Sequence, residues 1–347
     1  MEYIKLNNGL AMPSLGYGVF QINDEEAAHC VADAIEVGYR LIDTAQAYGN
    51  ERGVGEGIRR SGVAREDLFL TTKVWISNAG ERKAAASIDE SLKRLGTDYI
   101  DLLLVHQPFG DYYGTWRAME TALMMGKVRA LGVSNFSRGR FTDLAVHNKI
   151  LPAVNQLETN VLSQQREMEG LLNQFDTHIM AWAPLSQGDG QFFDNEVLCE
   201  LAQHHHKTVA QVALRWLTQR GIIAIPKSTH KERMQENFDI FDFQLSADEM
   251  QRVDALNRTD TGTRNFDDPE YIKQLLSYVP CSFSFTSTLG TAYPKETFGK
   301  RNSKNDHSRS SNSLVGPVDN LEIAKKPSFV VRKFIVTPLC RATQLLS

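Results

Sequence analysis

Short apolar runs alternate with longer amphipathic ones through most of this chain. The strand-like runs are residues 40–44 (RLIDT), 68–74 (LFLTTKV), 101–106 (DLLLVH), 130–134 (ALGVS), 152–156 (PAVNQ), 178–184 (HIMAWAP), 222–226 (IIAIP) and, with a weaker pattern, 238–243 (FDIFDF). Each is too short for a stable helix and is bounded by polar, Gly or Pro residues. Between them, residues 24–38 (DEEAAHCVADAIEVG) open on acidic residues and stop at a glycine, as the helix dipole and the left-handed helix end favour. Residues 81–96 and 208–221 show the same helical periodicity and carry a basic residue and a glycine at their ends. Ahead of all these, two apolar pieces flank Asn7-Asn8-Gly9, which reads as a β-hairpin.

Strands alternating with helices imply parallel strands joined by crossovers. Eight strand signals over about 240 residues fit a closed (β/α)8 TIM barrel better than an open doubly wound sheet. Six runs end on or just before a polar residue: Asp43, Lys73, His106, Asn135, Gln156 and Lys227. In such barrels the C-terminal strand ends carry the chemistry, so these six are the first candidates.

Composition narrows the field. The chain has 347 residues, 42% hydrophobic and 23% charged, the balance of a globular protein. It has no secretory pattern at its N-terminus and no apolar run near the roughly 20 residues that span a bilayer. Its four cysteines are scattered without metal spacing and read as reduced thiols of a cytoplasmic protein. Residues 281–347 hold ten Lys/Arg and four Asp/Glu, a charge of +6, so the net charge of -4 leaves -10 on residues 1–280. An acidic body argues against a nucleic-acid surface.

The glycines of GVGEG (53–57) fall inside a helical stretch and match neither a dinucleotide nor a P-loop fingerprint. His204-His205-His206 are adjacent, so around a helix they are expected to point different ways, and no metal site is expected there. The titratable strand ends remain. Lys73 inside an apolar strand needs a carboxylate neighbour, and Asp43 on the adjoining strand can supply it. Tyr48, if beside that ammonium, has its phenol pKa drawn down from about 10. His106 can donate to a substrate oxygen, and together the group can protonate a carbonyl oxygen. Spacing alone leaves the bland alternative open: Asp43 as a helix cap and Tyr48 as core.

The stretches GYRLIDTAQAYGNERGVGEGI, FLTTKVW, DLLLVHQP, GKVRALGVSNF and IPKSTHKERMQENFDIFDFQL, in this order, resemble five motifs of the aldo-keto reductase superfamily. The resemblance covers residues 3 to about 276 and points to the short prokaryotic-type branch, with its diketogluconate reductases and prostaglandin F synthases. It implies a barrel closed below by the N-terminal hairpin, NADPH extended across the top, and a catalytic tetrad of Asp43, Tyr48, Lys73 and His106. Tyr48 would be the acid, Lys73 and Asp43 its support, His106 the orienter of the carbonyl. Ser134, Asn135 and Gln156 would hold the carboxamide and Trp182 would stack on the nicotinamide. Pro184, Leu185, Gln187 and Gly188 would follow the pyrophosphate. Lys227, Ser228, Thr229 and Arg233 would take the 2′-phosphate, with Glu236 and Asn237 on the adenine. Gly18, Val19 and Phe20 at the first strand end complete the cofactor set.

Gln107 follows the histidine where many members have Trp. Phe109, Tyr112 and Tyr113 next to it are expected to wall the substrate pocket with Phe20, Trp75, Tyr48 and His106. The expected partner is a small carbonyl compound, met by a cytoplasmic monomer with no metal, nucleic acid or membrane. The superfamily also includes cofactor-holding regulatory subunits of channels, a reading that turnover separates. Beyond the barrel (1–280), residues 281–347 carry no recognised motif and include a Ser/Asn-rich basic stretch (300–313), the composition of a disordered extension.

Overall fold

The computed structural model describes residues 1–258, 266 and 268–278. The extension expected over 281–347 lies outside the described residues. Strands β1 (Tyr3–Lys5) and β2 (Ala11–Pro13) pair antiparallel, Ile4 opposite Met12, and form the expected hairpin.

Eight parallel strands follow: β3 (Tyr17–Gly18), β4 (Leu41–Asp43), β5 (Phe69–Val74), β6 (Ile100–Val105), β7 (Val128–Ser134), β8 (Val154–Glu158), β9 (His178–Trp182) and β10 (Ile223–Ala224). Each pairs with the next in chain order. The sheet closes on itself where Leu15 bridges Ala224, with Gly16 N donating to Ala224 O at 2.8 Å and Gly18 N to Pro226 O at 3.0 Å. Ala224 N donates back to Ser14 O at 2.9 Å, and the fold is a (β/α)8 barrel.

The helices are α1 (Asp24–Val37), α2 (Glu51–Ser61), α3 (Glu81–Leu95), α4 (Tyr112–Met124), α5 (Arg138–His147), α6 (Arg166–Leu172), α7 (Gly190–Phe193), α8 (Glu196–His205), α9 (Val209–Gln219), α10 (Lys231–Phe238), α11 (Ala247–Asp254) and α12 (Pro269–Ser277). None among the described residues is long and apolar enough to cross a membrane.

One strand expectation is corrected. Residues 238–243 are not a strand, and the eighth place belongs to β3. Ile240 is buried in the outer core with Phe238, Phe241 and Phe243 packed against it, which produces the apolar pattern without any pairing. The inner core is separate. Leu6 and Met12 of the hairpin join Leu41, Phe69, Leu102, Leu104, Val154, Met180 and Ile223 inside the barrel. Asn7 donates to Pro152 O at 3.1 Å, Asn8 to Arg129 O at 2.9 Å, and His178 Nε2 bonds Lys5 O at 3.1 Å. These partners stand at the N-terminal ends of β7 to β9, so the hairpin plugs the bottom and leaves the strands' C-terminal ends open for chemistry.

The glycines of residues 53–57 lie within α2, as expected, and serve packing. A Cβ on Gly53 would stand 1.8 Å from Asp24 O, and one on Gly55 would stand 2.3 Å from Leu95 O. Only bare backbone lets α2 approach α1 and the end of α3 so closely. The expected divergence of the adjacent histidines is also corrected: His204 and His205 both reach Glu249 of α11.

Candidate active site

Tyr48 sits on one short turn, Gln46–Tyr48, between β4 and α2, and polar side chains fix that turn from both sides. Gln46 accepts from Trp75 N at 3.0 Å and Asn78 Nδ2 at 2.9 Å, and donates to Ser87 O and Ser91 Oγ. Asn50, fully buried, accepts from Thr44 Oγ1 at 2.8 Å and donates to Val19 O and Ile22 O. Between them Gly49 turns the chain at φ 69°, a left-handed conformation that suits glycine. Glu51, also buried, accepts from Thr72 Oγ1 at 2.7 Å and pairs with Arg94, tying α2 to β5 and α3.

Against this turn lies the ammonium of Lys73, whose side chain is 0% exposed. Its Nζ donates to Asp43 Oδ1 at 2.6 Å, to Thr44 O at 2.8 Å and to Tyr48 OH at 3.2 Å. Three acceptors satisfy its three protons. The other Asp43 oxygen accepts from Gln156 Nε2 at 2.9 Å. Burial pushes the Asp43 carboxyl up, against the pull of Lys73 and Gln156. Burial alone would push Lys73 down, but the charges and hydrogen bonds of Asp43 and Tyr48 outweigh it, and its pKa lies above the ordinary lysine value. The ammonium is therefore a fixed positive charge beside the phenol oxygen.

His106 follows β6, and its ring stands edge-on to Tyr48 at 5.6 Å and to Trp75 at 4.9 Å. Phe20 tilts against Tyr48 at 5.0 Å. The result is a phenol and an imidazole at the strand tops with apolar rings beside them. Asn135, held at φ 62°, donates to Gln107 Oε1 at 3.2 Å and to Ser134 Oγ at 3.1 Å, while its own oxygen accepts from Trp182 Nε1 at 2.9 Å. Ser134 Oγ in turn donates to Gln156 O at 3.0 Å. So Asp43, Tyr48, Lys73, Gln156, Ser134, Asn135, Trp182, His106, Phe20 and Trp75 form one connected group.

The remaining candidates lie further along the rim. Gly18 N donates to Pro226 O and Val19 N to Asp43 O, which locks the first strand end to its neighbours. Pro184 is buried, Leu185 is half-buried, and Gln187 and Gly188 are exposed. Ala183, Ser186 and Gln187 all adopt positive φ, near 50°, which costs roughly 1–2 kcal/mol each for residues with a Cβ. After β10, Lys227 and Arg233 are exposed and stand outside any ion pair among the described residues. Ser228 Oγ closes a turn on the His230 backbone, and Thr229 is half-buried. Two phenols hold this segment from below, Tyr17 donating to Ser228 O and Tyr39 to Met234 O. Two unpaired cations with hydroxyls between them suit a phosphate. Glu236 accepts from Thr208 Oγ1 at 2.7 Å, and Asn237 is buried.

Tyr112 and Tyr113 stack on each other at 5.0 Å, and their other contacts run to Phe136 and to Asp143 of α5. Phe109 lies under Arg140. One rim residue went unnoticed in the sequence. Trp75 Nε1 donates to Tyr278 O at 3.0 Å, their rings meet edge-on at 5.7 Å, and Tyr278 OH donates to Ala47 O at 3.2 Å. No local signal ties Tyr278 to Trp75 across 203 residues.

Comparison with known proteins agrees with this architecture. The sequence profile described as "Aldo/keto reductase family" matches residues 5–258. Glyoxal reductase of Bacillus subtilis (strain 168) is 48% identical over 259 residues, 74% of this chain and 93% of that protein. The crystal structure of an aldo/keto reductase from Brucella melitensis superposes with a TM-score of 0.71 at 43% identity, covering 74% of this chain and 99% of that one. A Bombyx mori aldo-keto reductase solved in complex with NADP gives a TM-score of 0.70 at 36% identity, covering 74% and 92%. The chain therefore belongs to the aldo/keto reductase family, in its short prokaryotic-type branch, and is an oxidoreductase.

Proposed function

We propose that this protein reduces aldehydes and ketones to alcohols, with Tyr48 as general acid. The observation that carries the reading is the buried Lys73–Asp43 ion pair with its ammonium 3.2 Å from the Tyr48 oxygen. The cofactor is NADPH, supported by the Bombyx mori relative in complex with NADP and by the exposed cations Lys227 and Arg233. When bound, NADPH supplies the hydride that reaches the carbonyl carbon.

This chain's residues do the rest. His106 donates a hydrogen bond to the carbonyl oxygen and orients it between the aromatic walls of Phe20 and Trp75. Tyr48 gives its phenolic proton to that oxygen as charge builds there, and the phenolate left behind rests against the Lys73 ammonium. Asp43 keeps the ammonium charged in a dry site, and Gln156 keeps Asp43 in place. Ser134, Asn135 and Gln156 carry the amide and hydroxyl groups that hold the carboxamide, and Trp182, fixed by Asn135, is the stacking surface. Lys227, Ser228, Thr229 and Arg233 bind the 2′-phosphate, which favours NADPH over NADH. The apolar mouth suits small carbonyl compounds, in keeping with the glyoxal reductase relative. The enzyme works as a cytosolic monomer, a reading that rests on the scattered cysteine spacing and on the family resemblance.

The test is NADPH oxidation against a panel of aldehydes, ketones and dicarbonyls, with Tyr48→Phe beside the unmodified protein. The variant is expected to lose about 10²–10⁴ in kcat while binding NADPH as before. A variant that keeps most of its rate removes Tyr48 as the acid. Tight cofactor binding without turnover on any compound favours a regulatory cofactor-holding subunit instead.

A further inference from the structure

We propose that His204, His205 and Glu249 form a transition-metal site of the zinc class, in which one ion bridges α8 to α11. Their ligand atoms, His204 Nδ1, His205 Nε2 and a Glu249 oxygen, all lie within 4.8 Å of one another. Both imidazole nitrogens stand 2.9 Å from the same oxygen, Oε1. Two imidazoles and a carboxylate are the donor set of open zinc sites, which keep a further position for water. At zinc–ligand distances near 2.0 Å, tetrahedral geometry puts ligand atoms about 3.3 Å apart. The two nitrogen–oxygen spacings are already close to that value.

The site is also held in place on two of its three sides. The second Glu249 oxygen accepts from Ser246 N at 2.7 Å in the capping box of α11, which fixes how Oε1 is presented. His205 is only 15% exposed and packs on the Phe243 ring at 5.2 Å. His204, 72% exposed, is the ligand free to swing and close the nitrogen–nitrogen gap. The surroundings favour a cation. The histidines end α8, where the helix dipole is negative, and the neighbouring Lys207 is matched by two carboxylates, Asp239 and Asp242.

The experiment uses the full-length protein without an affinity tag, titrated calorimetrically with zinc chloride, with thermal unfolding in parallel. One ion per chain is expected, together with a higher unfolding midpoint in zinc. His204→Ala should keep the metal-free midpoint, because its side chain is largely in solvent, yet bind zinc about a hundredfold more weakly. Glu249→Gln should also lose the zinc-dependent rise. Cys199→Ser, which removes the exposed thiol on the same helix, should leave binding intact. Absent binding, binding that survives His204→Ala, or binding that depends on Cys199 overturns the proposal.

Discussion

The Lys73 side chain makes all its polar contacts with residues that matter to the site, so removing its charge tests stability and chemistry together. Lys73→Met keeps the length and deletes the ammonium, leaving Asp43 buried with Gln156 as its remaining partner. Breaking a buried pair from one side costs about 3–5 kcal/mol. The loss has a pH signature. Without Lys73, burial raises Asp43 further above its unfolded value, so between the two values the folded state binds more protons than the unfolded one. Stability of the variant should then fall as pH rises through the carboxylate range, and its deficit against the native protein should shrink on acidification. Denaturant unfolding at several pH values measures this, and a deficit that does not change with pH would contradict it. The Asp43–Lys73 pairing is legible in the sequence, because a lysine in an apolar strand demands a carboxylate and the adjoining strand offers one. The tightness of Tyr48 is not legible in the same way. It depends on Gln46 and Asn50, whose partners lie in the segments that follow β3, β4 and β5 and on α3, and are set by tertiary packing. Tyr112 and Tyr113 read as pocket walls because they follow the catalytic strand. At the start of α4, Tyr112 packs against Phe136 and Tyr113 bonds Asp143.

At the scale of elements, the long helices and six-residue strands announce themselves by period, and the two-residue strand β3 does not. Tyr17 and Gly18 have no room for a pattern, whereas residues 238–243 look strand-like because Ile240 and the phenylalanines pack on the outer core. Period reports which faces are apolar and says nothing of which backbone pairs. The glycines of α2 are a second case in which sequence pattern and structural use diverge. By helix propensity, Gly53→Ala should stabilise by about 1 kcal/mol. Here the new methyl would meet the Asp24 carbonyl at 1.8 Å, at the point where Asp24 Oδ1 also accepts from Gly53 N at 2.7 Å. We expect the sign to reverse, with a loss of about 1–3 kcal/mol as α2 is pushed off α1. Gly170→Ala on α6, exposed and with open space around its Cα, is the control and should stabilise by about 0.4–1 kcal/mol. Thermal unfolding of the two variants decides the matter: equal and favourable shifts would mean that α1 and α2 have slack to give.

For the molecule as a whole, the question is how much chain the catalyst needs. The family profile ends at residue 258, and the Bacillus subtilis relative accounts for 93% of its own length within 74% of this one. We propose that residues 1–280 are the catalytic barrel and that the rest is an extension outside it. Within the barrel, the last described residue still has a task. Tyr278 covers Trp75, accepts its indole N–H at its backbone oxygen and reaches back to Ala47 in the Tyr48 turn. Two truncations separate these claims. A chain ending at Pro280 should match the full chain in unfolding midpoint, kcat and KM. A chain ending at Arg258 loses α12 and Tyr278, and with them one wall beside Trp75. It should retain its fold, because the described inner core ends at Ile225 and no residue of α12 is buried, but its KM for carbonyl substrates should rise several-fold while kcat falls less. If the chain ending at Pro280 loses activity, the extension is part of the catalyst. If the chain ending at Arg258 keeps its KM, Tyr278 lies over the site without shaping it, since a wall that contacts substrate must cost binding when it is removed.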